Sequence, residues 1–456
     1  MTTAIAVLAL IAIPAAAEAQ VAPGLDAELV TAGQHVFTAT WTTAASSDTT
    51  VCLDGERPCR RLEGSTRNHY AHVTGLRSGR RYTYTLMSGG VPVPTSATNP
   101  GAVTTLVDPP GRFLFSFAVM ADIHSGEQCS GTALTITPPV GSLPPCYSTE
   151  PPDPPYAVRM AEAAVGEINR RGIGLTLLTA DNTSHAKLGQ TKRALRTLRR
   201  LDGEWHIARG AHDRANQNPP DPTCGEDNDC FRSVFFPARK PGRIHYSFDF
   251  RGHHFVALDS VAADGQGDLT DAAQNEWLER DLARAEQRNQ RTFIFFHHPV
   301  AEYATTTSFP PVIFGVRQDR GGQAFLDRLA DYPNVVGVLN SHTHRNYVAY
   351  SPRTGRRLPF IETGPTKEYP GGYSVLRVYS GGYQRDFHRL RCDFCREWTA
   401  TTRNEYFGLY PLYTLGTVSS RAFTHVYDCD AFTPPPSPPS GNESSVGGDT
   451  VRPVCE

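Results

Sequence analysis

The stretch FLFSFAVMADIH, residues Phe113 to His124, decides how this chain is read. Phe113–Met120 is apolar except for Ser116, with the bulky residues of a strand buried on both faces. It runs straight into Asp122-Ile123-His124, so two side chains able to bind a metal stand where the strand ends. A second such run, Gly174–Thr179, ends at Ala180-Asp181-Asn182. Between them Tyr156–Arg171 has apolar residues at helical spacing and stops at Gly172. Further helices are expected over Leu188–Leu201, Ala272–Glu286 and Gln323–Ala330, and further strands over Thr292–Phe296 and Val335–Asn340. Strands alternating with helices imply a layered α/β domain with its sheet inside.

Three more clusters follow the first two: Gly210-Ala211-His212-Asp213, His297-His298-Pro299 and Ser341-His342-Thr343-His344. Asp and His are the ligands that hold Zn, Mn and Fe. Ligands two positions apart on an extended strand end point the same way, so Asp122/His124 and His342/His344 are each expected to converge. One Asp-x-His or His-x-His is an ordinary loop pair. Five clusters in order, each at a strand end and separated by crossover-sized segments, point to a metal site.

Taken together, these clusters resemble the motif series of the calcineurin-like metallophosphoesterases over about Phe113 to Tyr373. The resemblance implies a β-sandwich flanked by helices, holding two transition-metal ions, with Mn, Fe and Zn not distinguished. It implies hydrolysis of phosphomonoesters or phosphodiesters by a metal-bridging hydroxide. It also implies that Asp122, His124 and His344 hold the first ion, that Asp181 bridges, and that His297 and His342 complete the second. His212 is then expected to be the general acid, with Asp213 orienting or charging its imidazole. His298 is expected to support the site without ligating.

The chain departs from the family pattern at several points. Ala211 stands where the family has an Asn, an amide that ligates the second metal; Asn182 and Asn216 are the candidate substitutes. Ala180 and Ser341 replace glycines, which is tolerable if the backbone there is not left-handed. His124 and Ser184 occupy the places that carry Gly and Tyr in the purple phosphatases, so no purple colour is expected. Three readings stay open: a phosphoesterase with a weakened second site, a degenerate fold serving as a binding or adhesion protein with little turnover, and an unrelated secreted α/β domain whose histidines are structural. Arg214, Arg345 and His185 are further candidates for phosphate contact, while His253-His254 reads as structural.

Ahead of this region, residues 25–107 read as all-β, with strand-like runs at His35–Thr43, Asn68–Gly75 and Arg80–Met87. His72-Val-Thr-Gly-Leu76 followed by Gly79-Arg-Arg-Tyr-Thr-Tyr84 resembles the fibronectin-III-like module of purple acid phosphatase relatives. Such a module positions the catalytic domain or binds a cell-surface or matrix partner. Val107-Asp-Pro-Pro110 is the expected linker. The catalytic domain is expected over 112–390, a disulfide-bearing extension over 391–432 and a Pro/Ser/Gly-rich tail over 433–456. The Pro-rich insertion Thr137–Pro155 is expected to cover part of the cleft.

The ends and the composition set the compartment. An apolar run, Ile5–Ile13, followed by Ala17-Glu18-Ala19 reads as a cleaved leader over 1–19, and hence a secreted or periplasmic protein. No later segment is apolar enough to span a bilayer. The 10 Cys fall as neighbours: Cys52/Cys59, Cys129/Cys146, Cys224/Cys230, Cys392/Cys395 and Cys429/Cys455, which suits local disulfides in an oxidising compartment. Asn182-Thr-Ser184 and Asn442-Glu-Ser444 match the glycosylation pattern. In 456 residues, 44 Lys+Arg face 46 Asp+Glu, which excludes a nucleic-acid-wrapping surface but not a phosphate site, since bound ions can supply the positive charge.

Overall fold

The computed structural model describes residues 26–131, 146–149, 153–214, 222–224, 229–237, 244–300, 315–405 and 410–427. The expected leader, most of the 137–155 insertion, the tail, the Cys429/Cys455 pair, Asn216 and Asn442 lie outside them.

Strands β1 (Glu28–Ala32), β2 (Val36–Leu53), β3 (Arg60–Thr74), β4 (Arg81–Ser88), β5 (Val91–Pro92) and β6 (Ala102–Thr104) form one hydrogen-bonded network. The long β2 organises it, pairing antiparallel with β1, β3 and β4. Its inward residues Phe37, Trp41 and Val51 meet Val73, Tyr84 and Leu86 in a separate apolar core. Trp41 also satisfies its indole N–H on Ser88 Oγ at 2.7 Å.

The apolar run at the heart of the chain becomes β7 (Phe113–Met120). It lies parallel to β8 (Leu175–Leu178), which is parallel in turn to β9 (Glu204–Ile207). On the other edge, β7 pairs antiparallel with β16 (Gly372–Tyr379), then come β17 (Gly382–Arg389) and β18 (Ala422–Val426). The second sheet has the order β10 (Tyr246–Phe250), β11 (His253–Ala257), β12 (Thr292–Phe295), β13 (Val335–Asn340), β15 (Pro359–Glu362), β14 (Tyr347–Tyr350). Strands β11, β12, β13 and β15 are parallel, and the antiparallel β10 and β14 form the edges.

The two sheets stack through Phe117, Leu177, Phe255, Phe293, Leu376 and Tyr383, so strands buried on both faces read as unbroken apolar runs. Helices cover the outer faces. Tyr156–Arg170 places Met160, Ala164 and Ile168 against Leu178 and Trp398. On the far side Ala272–Gln287 and Gly322–Ala330 bury Leu278, Leu282, Phe325 and Leu329 against Ile294 and Val338. Asp271 caps the first of that pair by accepting the Gln274 N–H at 3.0 Å. The result is the layered α/β sandwich flanked by helices, and the elements expected in it fall within a few residues of their observed bounds, whereas β2 and β3 run well beyond the expected His35–Thr43 and Asn68–Gly75.

The amino-terminal strands are fastened to this body by buried charge. Glu28 is fully buried and accepts from Arg389 Nη1 and Arg403 Nε, both at 2.9 Å, and from the Tyr369 hydroxyl at 2.8 Å. Burial alone would raise Glu28, but the two guanidiniums outweigh it and hold the carboxyl below its ordinary value. Arg421 reaches the Leu29 and Val30 carbonyls. Val107 O accepts from Gln384 and Thr424, and Asp108 accepts from Tyr379, so the Pro-Pro junction is pinned along its length. The chain after Arg389 does not hang free either: helix Asp393–Thr402 packs Trp398 into the main core, and β18 completes the first sheet.

Four cysteine pairs are bonded as sequence neighbours: Cys52–Cys59, Cys129–Cys146, Cys224–Cys230 and Cys392–Cys395. Among the described residues no helix is long and apolar enough to cross a membrane.

Candidate metal centre

The motif residues meet at the carboxyl ends of β7, β8, β12 and β13. Beyond Met120 and Leu178 the chain stops being strand, yet parallel pairing continues: Asp122 N–H donates to Ala180 O, His124 N–H to Asp181 O and Ser125 N–H to Asn182 O. These bonds lash the two loops together. The expected convergence is present, but by a different route than an extended strand end. Asp122 (φ 47°), His124 (φ 38°), Asp181 (φ 47°), His342 (φ 72°) and His344 (φ 53°) all adopt left-handed backbone. Such conformations cost on the order of 1–3 kcal/mol each and persist where the surroundings over-determine them. Ala180 has φ 103°, glycine territory, so the condition for tolerating Ala there is not met.

Asp181 lies at the middle. His297 Nε2 is 3.1 Å from its Oδ2, His124 Nε2 is 3.5 Å away, and His212 N–H donates to its Oδ1 at 2.9 Å. His344 Nε2 stands 3.9 Å from Asp122 Oδ1, and His342 Nδ1 is 3.0 Å from His297 Nε2. Donor atoms of Asp122, His124 and His344 lie within 4.8 Å of one another, as do those of Asp122, Asp181 and His297. Burial pushes Asp122 up; it acts on Asp181 too, but His297 and His212 outweigh it and hold that carboxyl well below its usual range.

The donor set fits metal ions. Asp122 Oδ2 and His124 Nε2 are buried without a hydrogen-bond partner, and buried lone pairs of this kind are costly unless a cation takes them. Two carboxylates with four imidazoles are an N/O set suited to Zn, Mn or Fe.

Supporting groups fix the rings. Ser341 Oγ donates to Thr179 O at 2.7 Å and therefore accepts from His297 Nδ1 at 3.1 Å, leaving Nε2 facing Asp181. The replacement of glycine at this position thus does specific work. His344 Nδ1 is held by Glu368 Oε1 at 2.7 Å, and His124 Nδ1 lies 3.0 Å from Glu127 Oε2. Lys367 bridges the two carboxylates, at 2.7 Å from Glu127 and 3.0 Å from Glu368. Beyond them Ser130 Oγ sits 2.5 Å from Glu368 and 2.6 Å from Glu405. Burial and the Glu368 charge push Glu405 up to about 9. Sequence reasoning missed Glu127, Lys367, Glu368 and Glu405, since none sits in a ligand-spaced cluster.

His212 and Asp213 divide their roles differently from expectation. His212 Nδ1 donates to the Ser184 carbonyl at 2.8 Å, which leaves Nε2 as the nitrogen facing the site. Asp213 does not touch that ring. Its carboxylate accepts from the Gly210, Asn182 and Thr183 N–H groups, the Asn182 amide and the Thr183 hydroxyl, at 2.8–3.1 Å. It is a staple between two loops. Gly210 is required by close approach, because a Cβ there would lie 2.1 Å from Asp181 Oδ1.

The remaining candidates separate as follows. Arg345 is buried in a two-pronged pair with Glu362 at 2.7 and 2.9 Å, so it is structural. His185 is exposed and Arg214 donates to the Val261 carbonyl. Arg209 and Arg214, flanking the His212 turn, line a cavity of about 720 Å³ together with Asp229, Asp259 and Val261. His254 is tied to Asp249 and Asp281, as its structural reading requires. Asn182 is fully buried with its amide nitrogen on Ala208 O and Asp213, so its glycosylation motif is inaccessible in the folded protein.

No curated protein matches the chain's sequence. Solved structures with a similar fold include a dimetal phosphatase from Danio rerio, at 14% identity and TM-score 0.44, covering 61% of this chain and 98% of that one. A purple acid phosphatase from yellow lupin (Lupinus luteus) seeds aligns at 12% identity and TM-score 0.43, covering 79% and 71%. PhoD aligns at 11% identity and TM-score 0.39, covering 79% and 85%. The sequence profile of the calcineurin-like phosphoesterases matches residues 115–346, which span every motif residue from Asp122 to His344. The chain belongs to the calcineurin-like phosphoesterase family.

Proposed function

We propose that this protein hydrolyses small phosphate esters, mono- or diesters, at a dinuclear centre, with Asp122, His124 and His344 holding one ion, His297 and His342 the other, and Asp181 shared. The observation that carries this reading is the convergence of the other five side chains around Asp181, with Asp122 Oδ2 and His124 Nε2 buried without a hydrogen-bond partner. The ions, when bound, supply Lewis acidity at the phosphoryl oxygens and lower the pKa of a coordinated water.

The rest of the mechanism rests on the chain's own groups. Left-handed turns at Asp122, His124, His342 and His344 aim the ligands, and Ser341, Glu368 and Glu127 hold the rings so that little reorganisation is needed as charge builds on phosphorus. His212 presents Nε2 toward the site with Nδ1 donating to Ser184 O, and burial pushes its pKa down to about 4, so at neutral pH Nε2 carries a lone pair and acts as general acid only after it has first taken a proton. Asp213 keeps the His212 turn in register with the Asp181 loop.

Export to an oxidising compartment is part of the same reading, supported by the apolar amino-terminal run and the four local disulfides. The amino-terminal strand network would then act as a rigid part of the enzyme, given its buried attachment through Glu28. Ala211 keeps a second reading alive, a binding protein with little turnover.

Hydrolysis of an aryl phosphate monoester and diester by metal-reconstituted wild type and Asp181→Ala decides between them. Turnover in the wild type that falls at least about 10³-fold in the variant supports the enzyme. Equal background rates in both would leave the binding protein.

A further inference from the structure

Three imidazoles, not two, gather on the second-ion side. Donor atoms of His297, His298 and His342 lie within 4.8 Å of one another. The His298 ring centroid is 4.4 Å from that of His342 and 4.7 Å from that of His297. The side chain is buried, at 1% exposure. Its Nδ1 lies 3.1 Å from Ser260 Oγ, a hydroxyl that also accepts the His298 backbone N–H at 3.1 Å. Its Nε2 is buried with no hydrogen-bond partner, and in the tautomer protonated on Nδ1 this atom carries a lone pair. A buried nitrogen of this kind beside two ligand imidazoles is an unsatisfied acceptor unless a cation takes it.

At the turn beside Asp181, residue 211 itself supplies no ligand. Ala211 lies between Gly210, which abuts Asp181 Oδ1, and His212, whose N–H donates to the same atom. Its methyl brings no donor atom. Asn182 has its amide nitrogen committed to Ala208 O and Asp213, and its Oδ1 is a second buried atom without a hydrogen-bond partner.

We propose that His298 Nε2 ligates the second ion and supplies the donor that Ala211 does not. This rests on the dinuclear reading above.

The test is a cycle of four proteins, wild type, His298→Ala, Ala211→Asn and the double variant, each stripped by chelation, confirmed folded by circular dichroism and titrated with Mn²⁺ or Zn²⁺ alone by equilibrium dialysis. The wild type should bind two ions. His298→Ala should keep the first and weaken the second at least about tenfold. Ala211→Asn should change little alone and restore the second site, to within about threefold of wild type, when His298 is absent. Such non-additivity marks two donors competing for one coordination position. Unchanged binding of both ions by folded His298→Ala would overturn the proposal while leaving the dinuclear reading intact. If His298→Ala does not fold, Ala211→Asn alone decides: a gain of tenfold or more in second-site affinity means the position lacked a ligand and His298 is not one. A wild-type stoichiometry below two would sink the dinuclear reading and the role of His298 with it.

Discussion

His344 Nδ1 is held by Glu368 Oε1 across 2.7 Å, and the same carboxylate group takes Lys367 and the Tyr410 hydroxyl. One buried residue thus sets the tautomer of a metal ligand and joins it through Lys367 to Glu127 beside His124. Both histidines of the first site are aimed by a single charged network.

Glu368→Gln keeps the volume and removes the charge. Loss of such a partner typically weakens metal binding about 10–100-fold. Equilibrium dialysis of the variant should show first-site affinity reduced within that range, with circular dichroism unchanged. Wild-type affinity in the variant would mean His344 needs no such support.

Asp213→Ala removes five accepted hydrogen bonds and leaves the Gly210, Asn182 and Thr183 N–H groups buried without acceptors. At about 1–3 kcal/mol for each unsatisfied donor, the cost is at least about 3 kcal/mol. Denaturant unfolding should show it as a lower midpoint. Asp181→Ala removes the acceptor of one buried backbone N–H, that of His212, and should cost less stability; a larger loss for Asp181→Ala than for Asp213→Ala would contradict these assignments.

Ala180→Gly should stabilise the protein by about 1 kcal/mol, since Ala at φ 103° is strained and glycine is not. A differential scan should show a small rise in Tm. A fall would mean that the buried methyl's packing is worth more than the strain.

The parts of this arrangement that were legible in sequence share one property: they sit at the ends of buried strands. Asp122, Asp181, His297 and His342 follow apolar runs whose strand character is plain, so a sheet with a polar rim could be read directly. Lys367 and Glu127 could not, being 240 positions apart and bonded only because β7 and β16 are neighbours. The left-handed turns were hidden because Asp and His carry no backbone signature as glycine does. Ser341 looked like a tolerated small residue, and only its bonds to Thr179 and His297 show its use. The amino-terminal strands read as a module on a Pro-Pro linker because the attachment of Glu28 to Arg389 spans 361 positions.

His254 gives a pH test away from the metal centre. Burial opposes its charge, but the hydrogen bonds its ring donates to Asp281 and Asp249 outweigh it and raise His254 above its ordinary 6.5. A raised folded value stabilises the protein at pH below the unfolded pKa, and that contribution is lost as pH rises through the folded value. His254→Asn should therefore cost more stability at about pH 5.5 than at about pH 8.5, read from denaturant midpoints at the two values. An equal loss at both would show that the pair contributes no charge-dependent stability.

The central claim is that two ions share Asp181, and anomalous diffraction from crystals soaked in Mn²⁺ measures it most directly. The account predicts two peaks, one bounded by Asp122, His124 and His344 and the other by His297, His298 and His342, with the Asp181 carboxylate between them. Crystals that take up no ion at these side chains, with the ligand geometry intact, would contradict it.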